Sequence, residues 1–135
     1  MCHELWPETS AEDHARELAP LLAGRPKGTL PAIVFLAETA GGQVAGFIQA
    51  GSRSHADGCD PSQPVGFVEG WYVKPEYRRR RIGARLLAAA EQWARDLGYR
   101  EMASDTWIMN RESQHVHAAL GFEVVDRCVH YRKPL

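Results

Sequence analysis

The clearest pattern in the chain is a stripe. Ile82, Leu86, Ala90, Trp93 and Leu97 recur at three- and four-residue spacing, and Leu87 and Ala94 widen the face. That period predicts an amphipathic helix, closed by Gly98 as the glycine just past its end. Ahead of it, "VGFVEGWYV" (65–73) is an apolar run that predicts a strand ending before Pro75. "AIVFLAE" (32–38) and "QVAGFIQAG" (43–51) flank Gly41-Gly42 and predict a hairpin, while the polar, turn-rich 52–64 predicts a loop. A first helix is expected over 9–23. Thr9 or Ser10 is its cap, Leu18, Leu21 and Leu22 lie on one side, and Gly24 and Pro26 stop it. "YREMASD" (99–105) predicts a short strand, 112–120 a helix closed by Gly121, and "FEVVDR" and "CVHYRK" two final strands, read as a hairpin. The order is αββ(loop)βαβαββ, a mixed α/β domain.

Composition narrows this picture. A chain of 135 residues holds one domain with one core, so 1–135 is read as a single unit. Formal net charge is −1, which argues against a nucleic-acid-binding domain with a broad basic excess. No run approaches the length of a membrane span, and "MCHELWPETS" lacks a basic segment followed by an apolar one. Cys2, Cys59 and Cys128 are odd in number and form no CxxC pair, so reduced thiols and a cytoplasmic location are expected. His55, Asp57, Cys59 and Asp60 share a loop but match no tetrahedral zinc spacing, and no metal is expected.

Local charge is the exception. Arg78, Arg79, Arg80 and Arg81 stand in a row, followed by Ile82, Gly83 and Ala84, where a strand hands over to a helix. A helix N-terminus offers unpaired N–H groups and a partial positive charge, and small residues let an anion approach the backbone. Arginines add charge-assisted hydrogen bonds. The run therefore reads as a phosphate or pyrophosphate cradle, weighed against a solvated basic turn.

Further along, "NRESQHVHAALGF" (110–122) pairs an asparagine with an aromatic ending. Together these two segments resemble the GCN5-related N-acetyltransferase superfamily. Its acetyl-CoA pyrophosphate loop reads Gln/Arg-x-x-Gly-x-Gly/Ala; Arg78 matches the first position and Gly83 the last. Arg81 replaces the middle glycine, and an arginine suits that turn if its backbone stays out of the left-handed region. "ELWP", "DGCD", "PVGFVEGWYVKPEYR", "EMASDT" and "HYRKPL" resemble, more narrowly, the aminoglycoside 6′-N-acetyltransferase branch.

The resemblance implies a mixed, mostly antiparallel central sheet flanked by helices. The branch's usual first strand has no counterpart ahead of Trp6-Pro7. It also implies acetyl-CoA as co-substrate, a small-molecule aminoglycoside as acceptor, and a homodimer. By the same resemblance, Trp71, Tyr72 and Val73 line the acetyl arm, and the Val73 N–H is the oxyanion donor. Arg78 to Arg81, Ile82, Gly83 and Ala84 take the pyrophosphate, with Asn110 and Ser113 near the pantetheine or adenosine end.

Glu69, a carboxylate in an apolar strand, must be paired or functional; the resemblance makes it the amine contact and proton acceptor. Asp105, His55, Asp57 and Trp6 are the other substrate candidates. Asp105 is equally a turn-capping residue, the aspartates are ordinary loop residues, and Trp6 is equally a packing residue. His117 stands where the superfamily has a proton-donating tyrosine, and Tyr131 is the second candidate donor. Asn110 also suits a helix cap. Cys59 and Cys128 fall outside these motifs, which favours direct transfer. Two other functions stay open on the residues alone: the same chemistry on a polyamine or protein N-terminus, and an RNA- or anionic-lipid-binding module marked by the arginine run.

Overall fold

The computed structural model describes residues 30–135. Strands β1 (Ala32–Glu38), β2 (Val44–Arg53), β3 (Val65–Val73) and β4 (Met102–Ser104) form a sheet in the order β1-β2-β3-β4. The first two pairings are antiparallel and β3–β4 is parallel, so the sheet is mixed and mostly antiparallel as expected. Helix α1 (Ile82–Asp96) crosses from β3 to β4, and α2 (Arg111–Ala119) follows β4. The expected helix over 9–23, Trp6 and the question of a strand ahead of it lie outside the described residues.

The apolar stripe acts as its period requires. Leu86, Leu87 and Ala90 of α1 pack on Ile48 and Ala50 of β2 and Val68 of β3. Truncating a side chain as buried as Leu87 costs about 2–5 kcal/mol, a large share of a small domain's stability. Helix α1 ends where its glycine allows: Gly98 sits at φ 87° and its N–H reaches the Arg95 carbonyl.

One expectation fails. Residues 122–135 form no strands. Val124, Val129 and Tyr131 are 70%, 71% and 93% exposed, so these side chains bury little against this chain. A hairpin without an apolar partner is marginal in water, and beyond Phe122 and the contact of Val125 with Gly58 little packing among the described residues offsets the cost of ordering it.

The feature that positions the site is a bulge. Along β2–β3 the register runs Gln49↔Gly70 and then Ala50↔Val68, leaving Glu69 as the extra residue. It reverses the alternation of β3. Before it, even-numbered residues face α1: Val68 is in the core, and a Cβ at Gly66 would lie 3.1 Å from that of Ala94. After it, Trp71 and Val73 pack on that side. At the same level β4 leaves β3, because their pairing ends at Val68↔Ser104.

Candidate active site

The sheet opens where β3 and β4 part, and the next residues on the two strands are Glu69 and Asp105. Beyond that point β3 has no sheet partner on its β4 side among the described residues. The Lys74 N–H donates to the Ala45 carbonyl of β2 (2.9 Å). N–H groups alternate along a strand, so the N–H of Val73 points away from β2, toward the opening. The Val73 carbonyl faces the same way and accepts from Arg78 Nε at 2.9 Å. Arg78 thus holds the end of the strand whose N–H is the candidate oxyanion donor. Its guanidinium also lies 5.7 Å from the Tyr72 ring centroid and 3.9 Å from Glu112.

From there the chain makes a short 3-10 turn (Pro75–Tyr77) and enters the arginine run. Arg79 and Arg81 both have left-handed backbones, φ 61° and φ 59°. Arg81 therefore does not avoid the conformation of the glycine it replaces, as the sequence led us to expect; it adopts it. This turn takes positive φ at both arginines, and the cost for a non-glycine residue is about 1–3 kcal/mol. Left-handed residues turn successive N–H groups inward, the geometry of an anion-binding nest. Arg81 caps α1 without a side-chain hydrogen bond, and the first turn, Ile82, Gly83 and Ala84, holds no acidic residue. An uncapped N-terminus free of carboxylates fits a pyrophosphate. Arg79, Arg80 and Arg81 are exposed, with Arg80 5.8 Å from the Tyr77 ring centroid.

On the α1 side of β3, Trp71 lies against the first turn of α1, where a Cβ at Gly83 would stand 3.5 Å from its indole. His117 meets Trp71 edge-to-face at 5.6 Å and Phe122 at 5.1 Å. Its Nδ1 is 2.7 Å from the Ser113 carbonyl, with the Ser113 hydroxyl at 3.3 Å, and its Nε2 is 2.9 Å from Ser104 Oγ. A carbonyl only accepts, so Nδ1 carries the hydrogen, and in the neutral ring Nε2 accepts from the Ser104 hydroxyl. Asn110 caps α2, its Oδ1 accepting from the Ser113 N–H at 3.0 Å.

The opposite face of β3 carries Glu69. Both its oxygens are held by Arg53: Nε donates to Oε1 at 3.0 Å and Nη2 to Oε2 at 2.8 Å. The Arg53 guanidinium stacks on Phe67, 3.4 Å from its centroid. Hydrogen bonding to Glu69 raises the Arg53 pKa above its ordinary value; burial opposes this, and the charges of Glu69 and Asp105 add to it.

The structure thus gathers Glu69, Asp105, Trp71, Val73 and His117 around one opening and sets the arginine run beside it. Tyr131 is not brought there; it stands exposed in the terminal segment. His55 and Asp57 are exposed on the 54–64 loop, which Asp60 organises by accepting from the Ser62 N–H and hydroxyl, at 2.9 and 2.7 Å. Burial, with the Glu101 charge adding, pushes the Cys59 thiol up, away from a nucleophilic thiolate. Among the described residues no His, Cys, Asp and Glu group could hold a metal, and no helix is long and apolar enough to cross a membrane. The sequence reading missed Arg53 and Ser104. The only sequence hint of Arg53 was its charge at the end of an apolar strand; Ser104 gave no signal.

A sheet opened at a bulge, beside an uncapped helix N-terminus with the geometry of an anion site, is the arrangement of a class of acyl-group transferases. The Acetyltransferase (GNAT) family profile matches residues 1–122, and the chain belongs to that family. It is 42% identical over 132 residues to an aminoglycoside N(6′)-acetyltransferase type 1 from Klebsiella aerogenes, spanning 98% of this chain and 85% of that one. The corresponding enzyme of Stenotrophomonas maltophilia is 40% identical over 131 residues, spanning 97% and 81%. Among solved structures, AAC(6′)-Iy in complex with the bisubstrate analogue CoA-S-monomethyl-acetylneamine superposes with a TM-score of 0.86 at 38% identity, covering 100% of this chain and 88% of that one.

Proposed function

We propose that this protein transfers the acetyl group of acetyl-CoA directly to the 6′-amine of an aminoglycoside. The observation that carries the reading is the opening at Val68↔Ser104, with a carboxylate on one face of β3, a histidine on the other and an uncapped helix N-terminus alongside. The relatives named as aminoglycoside 6′-acetyltransferases over nearly the whole chain favour this acceptor over a polyamine or a protein N-terminus.

The thioester supplies the acetyl group. The N–H groups at the start of α1 and the arginines beside them hold the pyrophosphate, and the Val73 N–H stabilises the oxyanion. Glu69 receives the acceptor amine and takes its proton, directly or through water. A proton taken up from solvent at Nε2 of His117 reverses its bond to Ser104, so the ring donates to Oγ. The Ser104 O–H is then free to protonate the departing thiolate as the Nε2 proton follows. Loss of one positive charge weakens the sugar's attraction to anionic RNA, which is a resistance function. The free Cys59 and Cys128 support a reducing, cytoplasmic setting. The exposed apolar side chains of 124–135 support a homodimer, which sedimentation would register as twice the chain mass.

Free thiol followed over time, with purified protein, acetyl-CoA and a kanamycin-type substrate, tests the reading. Release is expected, and Glu69→Gln should lower kcat by about a hundredfold while shifting the KM for acetyl-CoA far less. Release only with spermidine or peptides would move the acceptor class. An unchanged rate in Glu69→Gln would remove Glu69 from the chemistry.

A further inference from the structure

We propose that Arg53 is an internal counter-ion that occupies Glu69 until a multiply charged substrate replaces it, making Arg53 a specificity-determining residue. The inference rests on the reading of Glu69 as the carboxylate that receives the acceptor amine.

Four features carry it. Arg53 engages both oxygens of Glu69, at 3.0 and 2.8 Å, so the lone pairs best placed for an incoming ammonium are already in use. The guanidinium is an ammonium analogue placed where the reading puts the substrate amine. The pair is open to water, with side chains 44% and 33% exposed, so separating it costs little. And Arg53 keeps a seat when released: its stack on Phe67 needs no carboxylate.

Discrimination follows from charge number. A lone ammonium offers one point charge against a fork of two parallel N–H bonds and competes poorly. An amino sugar with several ammonium groups can meet Glu69 and Asp105 together, since the two residues flank the same parting of β3 and β4. Its second contact compensates for the broken pair. Arg53 thus penalises monoamines more than polyamino sugars, and it keeps Glu69 paired when no substrate is bound.

Arg53→Met keeps an aliphatic cover on Phe67 and removes the charge. Two probes are used, a kanamycin-type aminoglycoside and the monoamine glucosamine, each read by thiol release and by calorimetric binding without acetyl-CoA. Removing an exposed bidentate pair is expected to tighten glucosamine binding about fivefold. The aminoglycoside should gain less, so its preference over glucosamine narrows, and Glu69→Gln in the same chain should abolish the gain. Weaker binding of both amines in Arg53→Met, or a fall in kcat restored by Arg53→Lys, would overturn the proposal and make Arg53 a positioning residue for Glu69. If the unsubstituted protein releases no thiol with any amine, the acetyl-transfer reading fails, and the calorimetric arm still decides the counter-ion; an absence of amine binding in both proteins would overturn it as well.

Discussion

At the start of α2, Asn110 folds its side chain back onto the Ser113 N–H, and Glu112 places a negative charge in the first turn. At the start of α1, Arg81 makes no such bond and the first turn carries no acid. Both termini expose the same N–H groups and the same partial positive charge. The first is completed by its own chain, which makes Asn110 a structural cap whatever else it touches. The second is left incomplete, at the cost of two left-handed arginines. A helix end that stays uncapped, under backbone strain, and surrounded by cations fits the proposed role of receiving an anion from outside. The comparison separates a helix terminus that stabilises the fold from one reserved for a ligand.

The contrast can be broken at several points. The largest effect is expected for Arg81→Asp, which gives α1 the kind of cap that α2 has and brings a carboxylate to the pyrophosphate. Acetyl-CoA binding should weaken by about a hundredfold or more, through lost positive charge, added repulsion and occupied N–H groups together. Calorimetric titration would read it, and binding within a few fold of the original would show that α1 does not receive the phosphates. Next comes Asn110→Ala, which should cost about 1 kcal/mol of stability in a denaturant titration, the usual worth of an N-cap. A loss of acetyl-CoA affinity larger than the loss of stability would mean that Asn110 contacts the co-substrate too. The smallest effect is expected for Arg81→Gly. Relief of the left-handed strain, partly offset by glycine's greater freedom when unfolded, should raise stability by about 1 kcal/mol or less, seen as a melting temperature higher by a few degrees. No gain would mean that the strain at Arg81 is relieved by contacts of its side chain.

Much of this was legible along the chain. The strand at 65–73 has the expected bounds, and the helix after the arginines and the strand over 32–38 are equally close, because their signals are local: period, apolar runs, and Gly and Pro at the ends. The cationic turn was legible for the same reason, since a strand, a turn and a helix are contiguous there. The final hairpin misled because "FEVVDR" and "CVHYRK" have the alternation of strands, and alternation does not say what covers them.

By itself the sequence determined the described elements from β1 to α2, the position of the cationic turn between β3 and α1, and the presence of a carboxylate in an otherwise apolar strand. Only the tertiary structure decided what that carboxylate meets. The bulge at Glu69 exists only relative to β2, and it sends Glu69 to one face of the sheet and Trp71 to the other. Arg53 lies sixteen residues from Glu69 and His117 thirteen from Ser104, separations bridged by register and by helix packing. Local structure follows from forces between neighbours in sequence, whereas these pairings depend on which strands align and where they separate.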